Sequence, residues 1–353
     1  MISRSSWWST EIDALRSIAI ICIIFAHIDS FTSLPILKTV DSTFAFFGLS
    51  IFFFISGFLM RLNSEFTTYK DVSSFFRKRA AKIYPLFWFS IITIYVMNKI
   101  GFDIIYSNDI SANKLLLLLN VLGLQGLVSE NYNLSIWWFV GVILLYYFLF
   151  SIILYYAESV RSLLIFSFLM PFPFLFLRNE FNLMNVNVFN YYFIFIAGIL
   201  SATAKSFKSF ANIALSFSIF LLTLLLISFL GVDTGYLVDI SKRDVIFLIF
   251  MFTFTLYKIK FSFNSTFKFS FLIEKLADSS YSVYLFHIPV LAVFKLLIDL
   301  LIPLESTYRY LNDYFILFPG IPFTLLSGYF IMLYFDKFYK KIDIEYQISS
   351  FFS

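Results

Sequence analysis

The chain has 353 residues, 60% of them hydrophobic and 22% aromatic, and only 14% carry charge. Soluble domains carry roughly a quarter charged residues, so an ordinary water-soluble globular domain is excluded. The formal charge of +4 is modest, and where the positive residues lie is more informative than their sum; no nucleic-acid partner is expected. The single cysteine, Cys22, permits no intrachain disulfide and is silent about redox compartment.

Apolar segments follow one another near 12–29, 42–61, 83–98, 113–127, 135–156, 161–177, 188–204, 210–231, 243–257, 280–301 and 313–335. Runs of about 18 or more apolar residues read as membrane-spanning helices. The first is not a cleavable signal peptide, because no A-x-A-like site follows and further spans come at once. The longest connections, 62–82 and 258–279, are too short to bury cores of their own. The expected fold is all-α: a polytopic transmembrane helix bundle forming one integral membrane domain over 1–353.

Lys and Arg are retained in cytoplasmic loops. The stretch after the second segment holds Arg61, Lys70, Arg77, Lys78, Arg79 and Lys82 against Glu65 and Asp71, which places it and the N-terminus inside. Lys205 with Lys208, then Lys258, Lys260, Lys268 and Lys275, then Lys337, Lys340 and Lys341 mark further cytoplasmic stretches. Five apolar segments separate the first basic stretch from Lys205, and an odd number cannot join two loops on one side. The weakest is 113–127, broken by Gly123, Gln125 and Gly126, and it reads as shallow or re-entrant. Ten spans remain, with both termini cytoplasmic.

The first span carries scarce ionisable groups. Arg16 and His27 are eleven residues apart, which at 100° per residue returns to nearly the same face, and Asp13 lies on that face one turn earlier. Arg16 then sits toward the cytoplasmic end and His27 about 16 Å further along the axis. Ionisable groups within a span usually face the bundle interior or a wet cavity, so this stripe suits a path leading inward from the cytoplasm. A snorkelling Arg16 partnered by Asp13 would explain Arg16 alone. His27 could instead be a helix-packing hydrogen-bonder.

The other histidine, His287, lies in "SSYSVYLFHIPVL", where Ser280, Tyr284 and His287 share a helical face at spacings of four and three. A packing cluster and a site role both fit that face. Pro289 withdraws a helix hydrogen bond from the Leu285 carbonyl. Gly48, Ser56 and Gly57 suit close helix packing. Arg77, Lys78, Arg79 and Lys82, in "FFRKRAAKIYPLFW", suit a topology signal, anionic lipid heads or a phosphate clamp. No metal-ligating cluster is expected.

"DALRSIAIICIIFAH" with its R-x10-H spacing, "FFFISGFLM", "RKRAAKIYPLFW", "WWFVGVILLYYFL" and "SYSVYLFHIPV", in this order, resemble the membrane-bound acyltransferase 3 family over most of the chain. The resemblance implies a multi-pass enzyme of the bacterial cytoplasmic (inner) membrane. Such an enzyme draws an acyl group, usually acetyl, from cytoplasmic acyl-CoA and delivers it to a polysaccharide or lipid-linked glycan, as in O-antigen or capsule modification. Acetyl-CoA is then a donor substrate, and no permanently bound cofactor is expected. The resemblance makes His27 and Arg16 the catalytic candidates. Asp13, Arg77, Lys78, Arg79, Lys82, Ser280, Tyr284 and His287 are the substrate-binding candidates.

Two departures stand out. The family pattern R-x-x-R-I-x-P appears as Arg79 to Pro85 with Lys82 in the second basic position, which keeps the charge but loses the bidentate fork. The acidic "S-V-E-E-Q-F-Y" of many members is replaced by "FVGVILLYY". The chemistry implied is ordinary acyl transfer. His27 acts as general base toward a sugar hydroxyl, or attacks the thioester and carries the acyl group. Arg16 stabilises an oxyanion or grips CoA phosphates. A transporter or flippase for a lipid-linked glycan is the alternative, since it too needs polar residues within spans.

Overall fold

The computed structural model describes residues 9–102, 114–128, 137–203, 211–212, 215, 270–301 and 309–342. Their regular structure is helical: α1 (Ser9–Ile28), α2 (Pro35–Asn63), α3 (Tyr69–Lys99), α4 (Lys114–Val121), α5 (Trp138–Tyr156), α6 (Val160–Leu169), α7 (Pro171–Phe181), α8 (Asn187–Asn190), α9 (Tyr192–Thr203), α10 (Ser270–Leu301), α11 (Arg309–Leu317) and α12 (Gly320–Ile342). The extended pairing among these residues is one isolated antiparallel bridge, Val128 to Leu183. Seven helical stretches among the described residues are long and apolar enough to cross a membrane. They show a polytopic helical bundle. The segment expected at 243–257, all of 210–231 except Ala211, Asn212 and Leu215, and Lys205, Lys208, Lys258, Lys260 and Lys268 lie outside the described residues.

The stretch 62–82, expected as a connection, is largely helix. α2 runs on to Asn63 and α3 begins at Tyr69, so the basic cluster lies within the first turns of α3. The reason is a reciprocal cap. The Thr68 amide donates to Asp71 Oδ2 at 2.8 Å, and the Asp71 amide donates to Thr68 Oγ1 at 3.3 Å, which satisfies donors that a helix start leaves open. The second long connection is shortened too, because α10 already starts at Ser270.

Segment 113–127 forms the eight-residue α4, a turn and a single 3-10 turn at Gln125–Leu127. Eight residues reach about 12 Å, against a hydrocarbon core of about 30 Å. The irregular backbone that follows is met by other parts of the chain. Tyr84 donates its hydroxyl to the Leu122 carbonyl at 2.6 Å. The amides of Met184 and Asn185 donate to the carbonyls of Leu127 and Gly126 at 3.1 and 3.0 Å. Gly123 adopts φ 69°, a left-handed conformation that glycine takes without strain.

The chain divides into two compact units. The first comprises residues up to Leu49, those from Pro85 to the end of α3, and α10 to α12. In it α10 packs along both α1 and α12. A Cβ at Gly48 would come within 2.7 Å of the Ala19 carbonyl oxygen, so this glycine lets α2 lie against α1.

The second unit holds the end of α2, the start of α3, and α4 to α9. Its core is aromatic. Tyr146 lies 5.0 Å from Phe195 between ring centroids, and Phe150 lies 5.5 Å from Tyr192. Their phenols are satisfied within the fold: Tyr146 donates to the Val188 carbonyl, and Tyr192 to the Ser167 carbonyl at 2.9 Å. Gly57 of α2 and Gly198 of α9 face each other's helix so closely that a Cβ at either would overlap the carbonyl oxygen of Phe195 or Phe54.

Candidate active site

Within the first unit, α1 and α10 are joined by polar contacts along their length. Ser17 on α1 sends its hydroxyl toward the carbonyls of Asp13 and Ile273, at 2.8 and 3.0 Å. Arg16 donates from Nη2 to Ser280 Oγ at 3.1 Å. Ser280 donates its own proton to the Ala277 carbonyl at 2.7 Å, so its lone pairs are turned to the guanidinium. Further along both helices the rings of His27 and His287 stand 5.0 Å apart between centroids, tilted by 51°. From Ser17 with Ile273 to His27 with His287 the contacts rise in residue number together on the two helices, which therefore run parallel.

The two histidines differ in setting. His27 is half-buried, whereas His287 is 1% exposed. His287 Nδ1 lies 2.7 Å from the Tyr284 carbonyl oxygen. An oxygen there accepts only, so Nδ1 carries the proton. His287 Nε2 then holds the lone pair, and among the described residues it is buried with no hydrogen-bond partner. The spacing of Tyr284 and His287 puts them one turn apart, with ring centroids 6.0 Å apart. Pro289 is accommodated inside α10, which continues as helix to Leu301.

The structure thus brings Arg16, Ser280, His27, His287 and Tyr284 onto one helix pair. Asp13 is half-buried on α1, one turn before Arg16. Among the described residues, no group of three or more His, Cys, Asp or Glu side chains could hold a metal ion.

The basic cluster lies in the second unit, and its members differ. Arg79 is half-buried, its guanidinium carbon 5.3 Å from the Phe75 ring centroid and 5.2 Å from that of Tyr147. Phe75 is one helical turn before Arg79, and Tyr147 comes from α5. Two aromatic faces fix the cation by cation–π attraction. Arg77, Lys78 and Lys82 are exposed.

Three contributors escaped the sequence reading. Ser17 lies four residues after Asp13, so its place on the polar stripe was visible in the spacing. Asp313 of α11 takes both the amide and the hydroxyl of Ser33, the former at 3.1 Å. Flanking this clamp, Thr32 Oγ1 and Asn312 Oδ1 are buried without a hydrogen-bond partner among the described residues. Ser33 and Asp313 are far apart in sequence, and nothing local marks them as partners.

No curated protein and no solved structure matches the chain. A family model described as an acyltransferase domain matches residues 9–335, from the first residue of α1 well into α12 and across both units. The polar helix pair, the capped basic turn of α3 and nearly the whole of the remaining chain fall within that match. The chain belongs to the acyltransferase 3 family and is a membrane acyltransferase.

Proposed function

We propose that this enzyme moves an acyl group, acetyl being the simplest, from cytoplasmic acyl-CoA to a hydroxyl of an extracytoplasmic or lipid-linked polysaccharide in the bacterial inner membrane. The observation that carries the reading is the polar seam between α1 and α10. It joins a fixed guanidinium near one end of the parallel pair to two imidazoles further along. Groups of this kind are costly inside a membrane and usually serve a reaction or a path.

A hydroxyl attacks an acyl carbon poorly until its proton is removed, and an imidazole is the side chain best suited to that near neutral pH. In one route His27 takes the hydroxyl proton, the oxygen bonds to the acyl carbon, the carbon–sulfur bond breaks, and the thiolate receives the proton from His27. In the other, His27 nitrogen attacks the thioester and CoA leaves as the thiol. The acyl-imidazole then gives the group to the hydroxyl. In both, charge gathers on the carbonyl oxygen and on the donor's phosphates. A guanidinium pinned by Ser280 is a preorganised cation for either.

The exposed Arg77, Lys78 and Lys82 suit phosphate or anionic lipid heads, and we assign them to the donor's phosphates. Arg79, wedged between Phe75 and Tyr147, anchors that turn.

The test is His27→Ala in cells that carry the protein, read as the O-acyl content of surface glycans by mass spectrometry. Acylation should disappear while the chain still inserts in the membrane, and wild-type acylation in that variant would sink the reading. A second measurement separates a glycan flippase: only an acyltransferase releases CoA thiol from acetyl-CoA in membranes containing acceptor.

A further inference from the structure

The buried histidine behind His27 has one nitrogen committed and one available. His287 donates from Nδ1 to the Tyr284 carbonyl at 2.7 Å, and its Nε2 lone pair has no partner among the described residues. A buried acceptor left unmatched costs free energy, and α10 carries it beside the ring of a second imidazole.

Two imidazoles joined nitrogen to nitrogen by a hydrogen bond of about 3 Å have centroids about 5 Å apart, because each nitrogen lies only about 1.1 Å from its ring centre. The observed separation is 5.0 Å. His27 is the half-buried ring of the pair and His287 the fully buried one. A centroid separation of 5.0 Å leaves room for such a bond, and χ2 is a broad torsion for histidine.

We infer that His287 is a positioning residue for His27: its Nε2 accepts the hydrogen bond of His27's inner N–H, selecting His27's tautomer and stabilising the imidazolium formed during transfer. The inference rests on the reading of His27 given above and deepens it. Both routes gain from this acceptor. When His27 takes the hydroxyl proton, its opposite nitrogen already bears one, and His287 Nε2 is placed to receive its hydrogen bond. When His27 attacks the thioester, the acylated ring likewise holds a proton on its other nitrogen, which must be received before the thiolate takes it. The Tyr284 carbonyl completes the arrangement by holding His287 in the tautomer that accepts.

The arrangement follows the logic of a base oriented by a third group, with a neutral imidazole where a carboxylate is common. A carboxylate would bring a net charge into the span, and a histidine with its proton on Nδ1 does not. The roles separate on position: His27, the more accessible ring, touches the substrate, and His287 acts through it.

The experiment uses the full-length chain in membrane vesicles sealed cytoplasmic side out, supplied with radiolabelled acetyl-CoA and their endogenous acceptor. His287→Leu keeps the volume and removes the acceptor, whereas His287→Gln places an amide oxygen near the position of Nε2. We expect His287→Leu to lower kcat about a hundredfold with KM for acetyl-CoA within about twofold of wild type, and His287→Gln to recover most of the loss. A purely structural role would move KM and membrane yield as well, and would not be repaired by an acceptor.

The inference is overturned if His287→Leu keeps kcat within about threefold of wild type. It is equally overturned if the Leu and Gln variants fall alike, or if KM and yield collapse with kcat. His27→Ala in the same vesicles keeps the two proposals apart. An active His27→Ala overturns the function reading itself, while a dead His27→Ala beside an active His287→Leu overturns only the role of His287.

Discussion

Two helix pairs in this enzyme solve the same packing problem with opposite chemistry. Where α2 meets α9, Gly57 and Gly198 bring the backbones together and the surrounding contacts are aromatic. Where α1 meets α10, the contacts include an arginine, two serines and two histidines. In lipid there is no hydrophobic drive between helices, so close van der Waals packing is the ordinary means of association. The glycine pair shows that this chain can use it. The polar groups on α1 and α10 take a second means of association, interhelical hydrogen bonds, and variants separate that use from a task in the reaction.

The comparison breaks first at Gly198. A Cβ there would overlap the Phe54 carbonyl oxygen, a backbone atom that cannot swing aside. Gly198→Val should lower stability by about 3 kcal/mol, the upper part of the usual overpacking range, seen as a lower midpoint of thermal unfolding in detergent. Activity per folded molecule should hold. A loss of specific activity without a change in midpoint would mean that the apolar seam also serves the chemistry.

Arg16 probes the other seam. Arg16→Ala leaves a well-packed helix but removes the guanidinium that Ser280 orients. Transfer should fall about a hundredfold, close to 2.7 kcal/mol of transition-state stabilisation, with little change in unfolding midpoint. Arg16→Lys should recover only part of this, since an ammonium lacks the planar fork. If the unfolding midpoint falls in step with activity, the seam is structural and the contrast with α2 and α9 fails.

How much of this was legible follows from the physics of each signal. The stripe of Asp13, Arg16 and His27 was visible because helical periodicity acts within one segment, and the face of Ser280, Tyr284 and His287 was visible for the same reason. That the two faces meet depends on tertiary packing, which spacing does not encode. The cap that turned 62–82 into helix was there to be read as Thr68-x-x-Asp71, yet the run of cations invited a reading as loop. The accepting nitrogen of His287 was illegible, because it depends on which atom the Tyr284 carbonyl meets. The parallel course of α1 and α10 adds a topological argument. Parallel neighbours need an odd number of crossings between them, and the eight expected segments from 42–61 to 243–257 satisfy this only when an odd number of them, such as 113–127 alone, does not cross.

Arg79 gives a smaller effect. Its guanidinium lies over two aromatic rings, an arrangement worth about 0.5–1 kcal/mol for each exposed contact. Arg79→Lys should raise KM for acetyl-CoA about three- to fivefold and leave kcat nearly unchanged, because the lysine keeps the charge but not the stacked plane. Unchanged KM would detach this turn from the donor and leave it a topology signal or a site for anionic lipid.

The smallest effect sharpens the comparison most, because it asks a single hydrogen bond to declare its purpose. Interhelical hydrogen bonds in membranes are worth about 0.6 kcal/mol on average, so Ser280→Ala should barely move the unfolding midpoint. Its consequence for transfer should be larger than that figure allows. The Ser280 hydroxyl both accepts from Arg16 and is itself aligned by the Ala277 carbonyl, so removing it takes away one restraint on the guanidinium in a site where position governs rate. A five- to tenfold fall in transfer, about 1–1.4 kcal/mol, with an unshifted midpoint would mark the bond as orientational. Equal losses in both measurements would mark it as ordinary packing, and the seam of α1 and α10 would then differ from that of α2 and α9 in composition only.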